Sequence, residues 1–186
     1  MQPYLLPEAL EAQHIILQRF NMTHAAPLFR FIFTEKDRLS EFLPWPRYIT
    51  KIEDEEKFIS SMEKQWDDKL CFGYAIVDKH TDTIMGAIDI HAIAWEHNRC
   101  EIGYWIASDF QGRGHVVDAC KCLENHLFAA GFHRLEIRCN ARNIRSLKVP
   151  RRLGYKLEGE LREDALENEA YRNTLIFGLL RSDRVF

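Results

Sequence analysis

The segment Glu101–Ala119, with the sequence EIGYWIASDFQGRGHVVDA, limits the folds open to this chain more than any other. Ile102, Tyr104 and Ile106 alternate with other residues in a β-branched and aromatic run, a pattern that predicts a strand. A glycine-containing loop at 111–114 comes next, and apolar residues at helical spacing follow it directly. The segment therefore predicts a strand, a short loop and a helix in immediate succession.

The loop predicts a binding site for a phosphate or pyrophosphate group. A loop of this kind directs several backbone N–H groups into one concavity at the positive end of a helix dipole, where anions are stabilised. We therefore expect residues 111 to 116 to contact a phosphorylated ligand. These residues are Gln111, Gly112, Arg113, Gly114, His115 and Val116.

Two common phosphate-binding motifs fit this loop poorly. A P-loop requires Lys followed by Ser or Thr after its last glycine, whereas Gly114 is followed by His115 and Val116. A dinucleotide-binding G-x-G-x-x-G motif would begin at Gly112, but Val117 occupies the position of its third glycine. The loop therefore requires a different explanation.

The loop fits a third pattern, Gln/Arg-x-x-Gly-x-Gly/Ala, from Gln111 to Gly114, with Val116 in the place of the small residue. This pattern resembles the acetyl-CoA pyrophosphate loop of the GCN5-related N-acetyltransferases. Other segments resemble one branch of that superfamily, the ribosomal-protein serine/alanine N-acetyltransferases. In chain order they are LPW at 43–45, EIGYW at 101–105, NIRS at 143–146, RLGY at 152–155 and EGELR at 158–162. The resemblance covers about residues 14 to 180.

Periodicity and turn residues predict the order of the elements along the chain. The predicted strands are 14–20, 71–78, 84–91, 100–106, 134–139, 155–163 and 170–180. The first predicted helix has Thr23 as its N-cap, and the others begin at Thr34, at Thr50 or Lys51, after Gly114 and at Asn143. With the resemblance, this order implies an α/β fold in which a mixed, mostly antiparallel central sheet of about seven strands is flanked by helices. We expect a single N-acetyltransferase domain over residues 1–186.

Composition excludes several classes of protein. The chain has 186 residues, of which 46% are hydrophobic, and a formal net charge of −3. This hydrophobic fraction excludes an intrinsically disordered chain, and the small acidic excess argues against a nucleic-acid partner. The eight histidines show no metal-ligand spacing, so we expect no metal.

Cysteine usage and the N-terminal segment bear on the cellular setting. The five cysteines, at 71, 100, 120, 122 and 139, are odd in number and form no C-x-x-C motif, which favours a reduced, cytoplasmic setting. The segment MQPYLLP lacks the basic start and apolar run of a signal peptide, and no apolar stretch approaches the length of a membrane span. We expect no membrane association. The oligomeric state stays open, with a homodimer as one alternative.

The resemblance implies acetyl-CoA as the co-substrate, with its pyrophosphate over residues 111 to 116. In the superfamily the strand that carries EIGYW diverges from its neighbour, and the pantetheine arm fills the gap. Backbone N–H groups near Ile106 and Ala107 are therefore expected to bind the acetyl carbonyl. Asn143 is expected both to cap the following helix and to contact the pantetheine.

The resemblance also bears on protonation of the departing thiolate. Many relatives carry a tyrosine for this role seven residues after the Asn, but Pro150 occupies that position here and has no proton to give. The ribosomal-protein branch uses a serine instead. The resemblance therefore implies Ser146 as the group that protonates the thiolate or donates a hydrogen bond to it.

Two residues are candidates for the general base. Glu101 lies five residues before the expected carbonyl-binding position, on a strand that lines the site in the family. His91 ends the neighbouring predicted strand, and an unperturbed histidine has a pKa suited to a proton shuttle. The branch commonly places a further glutamate after its EG-x-L-R segment, but Ala165 occupies that position here. Glu163 or Asp164 could substitute for it after a register shift.

Three functions stay open at this point. The first is acetylation of the N-terminal α-amine of a ribosomal or other protein. The second is the same chemistry on a small amine such as a polyamine, an amino sugar or an antibiotic, and the third is acyl-CoA binding with weak catalysis. An α-amine has a pKa of about 8 and a lysine side chain one of about 10, so the first acceptor needs the weaker base. This difference favours the α-amine.

Overall fold

A computed structural model of the protein describes residues 4–167 and 169–184. Residues 1–3, which belong to the N-terminal segment considered above for a signal sequence, lie outside the described residues, as do Asn168 and residues 185–186. Among the described residues, no helix is long and apolar enough to cross a membrane.

The described residues form one mixed sheet of eight strands. The strands are β1 Ala9–Glu11, β2 Ile15–Arg19, β3 Phe72–Asp78, β4 Ile84–Ala94, β5 Arg99–Ile106, β6 Arg134–Asn140, β7 Lys156–Glu167 and β8 Ala170–Leu180. Their order across the sheet is β1-β2-β3-β4-β5-β6-β8-β7, and all neighbours are antiparallel except β5 and β6. The predicted mixed, mostly antiparallel sheet is confirmed. The strand beyond the expected seven is β1, whose three residues are too few for alternation to show.

Five helices accompany the sheet in the described part of the chain. They are α1 Ala25–Thr34, α2 Lys36–Ser40, α3 Ile52–Asp67, α4 His115–Ala129 and α5 Ile144–Leu153. The prediction that Thr23 caps the first helix is wrong, because the Asn21 side chain caps a short 3-10 turn there by accepting from the Thr23 N–H. The prediction that Asn143 caps α5 is confirmed, since its Oδ1 accepts from the Ser146 N–H at 3.1 Å.

Alternation along the strands divides the core between the two faces of the sheet. Helices α4 and α5 cover one face, where Leu123 and Leu147 pack with Ile102 in one apolar cluster. Helices α1 and α3 cover the other, where Ile32 and Ile59 belong to a second cluster. We call these the α4/α5 face and the α1/α3 face.

Strands β5 and β6 separate part of the way along their length. Within the described residues they pair only from Arg99 opposite Arg134 to Glu101 opposite Glu136. Strand β5 then continues to Ile106, while β6 continues to Asn140 paired with β8 alone. If this register is extended, Trp105 and Asn140 lie at the same level on opposite sides of the opening. We call this opening the gap.

Candidate active site

The loop before α4 has the geometry of an anion-binding site. Gly112 and Gly114 have φ angles of +75° and +89°, a left-handed conformation that favours glycine. A Cβ added to either glycine would meet no protein atom within 4 Å, so the backbone here borders open space. The predicted strand, loop and helix are confirmed, and the loop presents a bare backbone to that space.

The start of α4 supplies N–H groups at this loop. The first intrahelical hydrogen bond runs from the Asp118 N–H to the Gly114 carbonyl at 3.0 Å. The amides that precede Asp118 in the first turn, including His115 and Val116, therefore have no acceptor within the helix. From α5, Arg145 donates to the Gln111 side chain at 2.9 Å, which brings a cation to the loop. The arrangement fits a pyrophosphate.

At the end of β5, one of the two predicted amides faces the gap and the other does not. The Ala107 N–H donates to the Met85 carbonyl at 2.9 Å, so it is engaged with β4, and its assignment as a carbonyl-binding donor was wrong. Along a strand, the N–H and carbonyl groups of successive residues point alternately to the two neighbouring strands. Because Ala107 points its N–H to β4, the N–H and carbonyl of Ile106 point to the other side of β5, toward the gap. The Ile106 carbonyl accepts from Arg38 Nη2 at 3.0 Å, which agrees with this direction.

Arg38 is held in place by Glu35, a residue that the sequence analysis missed. The Glu35 carboxylate accepts from Arg38 Nε at 2.7 Å and from the Ser108 N–H and hydroxyl at 2.9 and 2.8 Å. Burial opposes ionisation of Glu35, but the hydrogen bonds from Ser108 and Arg38 outweigh it and lower its pKa. The cluster fixes the start of α2 against the end of β5.

Ser146 lies beside the gap on the α4/α5 face. Its hydroxyl donates to the Tyr104 hydroxyl at 3.2 Å, and Tyr104 donates to the Ser146 carbonyl at 3.1 Å. Cys139 Sγ lies 3.3 Å from the Ser146 hydroxyl oxygen. Burial raises the pKa of Tyr104 well above its ordinary value, so its phenol stays protonated. The sequence analysis missed both partners, because residues 104, 139 and 146 meet only when β5, β6 and α5 come together.

His91 and Glu101 meet on the α1/α3 face, but their chemistry differs from the prediction for His91. His91 Nδ1 lies 2.6 Å from Asp89 Oδ1, and Nε2 lies 3.5 Å from Glu101 Oε1. Hydrogen bonds to Asp89 and then Glu101 raise the pKa of His91 to about 10, against an opposing effect of burial. The imidazole is therefore protonated at neutral pH. The prediction of an ordinary histidine proton shuttle is wrong.

Glu101 belongs to a chain of ion pairs across the sheet. Its Oε1 faces His91, and its Oε2 lies 3.4 Å from Arg138 Nε. Arg138 also lies 3.6 Å from Glu136. Both carboxylate oxygens of Glu101 therefore face cations, an arrangement that orients its side chain.

The segment around Ala165 differs from the expected pattern in its backbone. Strand β7 has a bulge between Leu161 and Ala165, and Glu163 within it has a φ of +54°. Glu163 and Asp164 are exposed at this bulge. Ala165 and Glu167 are both half-buried, and the carboxylate of Glu167 accepts a hydrogen bond from the Asn140 side chain. The sequence analysis missed Glu167 and Asn140.

Among residues 4–167 and 169–184, no group of three or more His, Cys, Asp or Glu side chains has an arrangement that could hold a metal ion.

Comparisons with known proteins identify a family and several relatives of this chain. The acetyltransferase (GNAT) domain family matches residues 14–156 of the chain. The ribosomal-protein-serine acetyltransferase of Escherichia coli (strain K12) is 28% identical over 155 residues, which span 83% of this chain and 86% of that protein.

Solved structures share the fold. RimL, described as a ribosomal L7/L12 α-N-protein acetyltransferase in complex with coenzyme A, has a TM-score of 0.90 at 23% identity, covering 95% of this chain and 100% of that chain. The microcin C7 self-immunity acetyltransferase MccE, in complex with acetyl-CoA and AMP, has a TM-score of 0.89 at 25% identity, covering 95% and 98%. The chain therefore belongs to the acetyltransferase (GNAT) domain family.

Proposed function

We propose that the protein is an acetyl-CoA-dependent N-acetyltransferase whose acceptor is the N-terminal α-amine of a ribosomal protein. The observation that carries the proposal is the gap, which has the Ile106 backbone on one side and the Ser146 hydroxyl beside it. The relationship to the ribosomal-protein-serine acetyltransferase supports the choice of acceptor.

The residues around the gap fit acetyl-CoA as the co-substrate. We assign its pyrophosphate to the open backbone at Gly112 and Gly114 and to the first turn of α4. Arg145, which reaches Gln111 from α5, supplies positive charge at the same place. We assign the pantetheine arm to the gap and the acetyl carbonyl to the Ile106 N–H.

The reaction replaces the C–S bond of the thioester by a C–N bond and removes two protons from the acceptor nitrogen. The acceptor ammonium first loses a proton, its nitrogen attacks the carbonyl carbon, and the C–S electron pair leaves on sulfur. The Ile106 N–H stabilises the charge that develops on the carbonyl oxygen. The Ser146 hydroxyl turns its proton from Tyr104 to the thiolate, and the nitrogen loses its second proton, so the products are an amide, a thiol and one released proton.

We infer a cytoplasmic setting for this reaction. All five cysteines are free and buried. Burial raises the pKa of the Cys139 thiol, so the thiol nearest to Ser146 stays protonated. Free thiols are typical of reducing compartments, which are also where ribosomal proteins are made.

Acetylation of two matched peptides tests the acceptor. One peptide has a free N-terminal Ser or Ala and no lysine, and the other has a blocked N-terminus and one lysine. Thiol release from acetyl-CoA is measured for both, with a polyamine as a third acceptor. We expect the free α-amine to react fastest, because its pKa of about 8 makes it easier to deprotonate than an amine near 10. Faster reaction of the blocked peptide or of the polyamine would overturn the assignment of the acceptor.

A further inference from the structure

We propose that Glu167 is the catalytic base that takes the proton from the acceptor ammonium, in the role for which Ala165 has no carboxylate. The inference rests on the proposed acetyl transfer but not on which amine is the acceptor. It follows from the position of Glu167 at the gap, from its contacts, and from the state of the other carboxylates and of His91.

The position of Glu167 follows from the sheet register. Asn140, at the end of β6, lies level with Trp105 across the gap when the pairing of Glu101 with Glu136 is extended. The Asn140 side chain donates to Glu167 Oε2. Glu167 is therefore held at the end of the gap where Ile106 turns its backbone inward, on the side that belongs to β6.

Helix α2 connects the two sides of the gap at this level. From its middle, Arg38 contacts the Ile106 carbonyl at 3.0 Å. Just after its end, Glu41 and Phe42 line a small cavity of about 50 Å³ together with Glu167. The segment from Arg38 to Phe42 therefore contacts both the Ile106 backbone and the cavity that Glu167 lines, and we infer from this that the Glu167 carboxylate faces the expected acetyl carbonyl.

Among the described residues, the hydrogen bonds of Glu167 use one of its two carboxylate oxygens. The Asn140 side-chain oxygen accepts from the Arg142 N–H at 2.7 Å, which fixes the amide so that its NH₂ group points to Glu167 Oε2. No protein hydrogen bond to Oε1 is present among the described residues. Burial raises the pKa of Glu167, and the hydrogen bond from Asn140 and the positive charge of Arg172 oppose this effect. A carboxylate with a raised pKa is a stronger base.

The other candidates are less suited to this step. His91 is already protonated at neutral pH, and both oxygens of Glu101 face cations. Glu163 and Asp164 are exposed on the bulge of β7. Glu101 is partly buried as well, but it lies where the gap begins, whereas Glu167 is held at the level of Asn140 at the other end.

The proposed step moves one proton. The acceptor N–H bond breaks and an O–H bond forms at Glu167 Oε1, which leaves a neutral amine whose lone pair attacks the acetyl carbon. Oε2 keeps its hydrogen bond from Asn140, which holds the carboxyl group in place during the transfer. The proton then passes to solvent through the cavity, which regenerates the carboxylate for the next turnover.

Glu167→Gln tests the proposal, because it keeps the shape of the side chain and removes the base. We expect kcat to fall about 100-fold, the low end for general base catalysis, with the KM for acetyl-CoA nearly unchanged. The matched controls are Glu163→Gln and Asp164→Asn, which should keep the original rate. Calorimetry with acetyl-CoA shows that each variant is folded. Rates are read with the fastest of the peptide and polyamine acceptors, so a wrong acceptor does not obscure the result.

The pH dependence of kcat gives a second readout. The charged groups that line the cavity with Glu167 are Glu41, Arg142 and Arg172. With saturating substrates, the acidic limb that Glu167 sets should be lost in Glu167→Gln, which leaves only the limb set by the acceptor amine itself, near about pH 8 for an α-amine. The hydrogen bond from Asn140 lowers the pKa of Glu167, so its removal in Asn140→Ala should raise that pKa and move the acidic limb to higher pH. A Glu167→Gln enzyme with kcat within threefold of the original and an unchanged acidic limb would overturn the proposal.

Discussion

The hydroxyl of Ser146 donates a hydrogen bond to the hydroxyl of Tyr104 at 3.2 Å, which joins the first turn of α5 to the part of β5 that does not pair with β6. The cap from Asn143 fixes the backbone of Ser146, and Tyr104 fixes its side chain. A serine that is solvated at the start of a helix would lack this second contact. The pair therefore gives Ser146 a defined direction beside the gap.

Removal of the Ser146 hydroxyl should slow catalysis more than binding. In Ser146→Ala we expect kcat to fall about 100-fold, because the donor to the departing thiolate is lost. The KM for acetyl-CoA should change little, since the interaction develops in the transition state. Tyr104→Phe is the matched control, because it keeps the serine and should lower kcat less. Steady-state kinetics with thiol detection measure both, and a Ser146→Ala enzyme with near-normal turnover would contradict the assignment.

A side chain at Gly114 should abolish acetyl-CoA binding. In Gly114→Trp the indole would occupy the open space where we expect the pyrophosphate. The positive φ adds about 1–2 kcal/mol of strain. Gly154→Trp controls for this strain, because Gly154 has a similar φ of +83° and equally open surroundings at the end of α5. Calorimetry should show no binding for the first variant and normal binding for the second. Normal affinity in a folded Gly114→Trp protein would remove the loop from the site.

His91 should remain protonated through the physiological range. Its folded pKa of about 10 lies above the unfolded value of about 6.5. The stability that this pairing contributes is therefore fully present below pH 6.5 and is lost as the pH rises through 10. The contribution is small, because the side chain is 41% exposed and solvent screens its pairs. An NMR titration of the ring should show no transition between pH 6 and pH 8; a midpoint near 6.5 would contradict the assignment.

Glu55 should make the protein less stable as the pH rises. It is 1% exposed on α3, and burial raises its pKa to about 7. Below about pH 4.5 the residue is protonated in both states, and between 4.5 and 7 only the unfolded state loses the proton, so stability falls over this range. In Glu55→Gln this loss, on the order of 3 kcal/mol, should disappear. Urea unfolding at pH 5 and pH 8 measures it, and an equal pH response in both proteins would contradict the prediction.

The sequence by itself determined the order of the elements and the position of the glycine loop before α4. Alternation in Glu101–Ile106 and helical spacing after Gly114 are local patterns, and local backbone preferences are enough to produce a strand, a turn and a helix. The same holds for Asn143, whose side chain caps the helix that follows it by accepting from an N–H only three residues away. The three-residue strand β1 and the cap at Asn21 escaped prediction because their signals are short.

Only the tertiary structure decided which side chains lie at the gap and which of their pKa values are shifted. His91 has an ordinary pKa as an isolated residue, and its raised pKa depends on Asp89 and on Glu101 from the neighbouring strand. The Ala107 N–H is engaged because the register of β4 brings the Met85 carbonyl to it. Glu167 reaches Asn140 across 27 residues of chain through the pairing of β6, β8 and β7. Contacts of this kind depend on strand register and burial, which local sequence patterns do not encode.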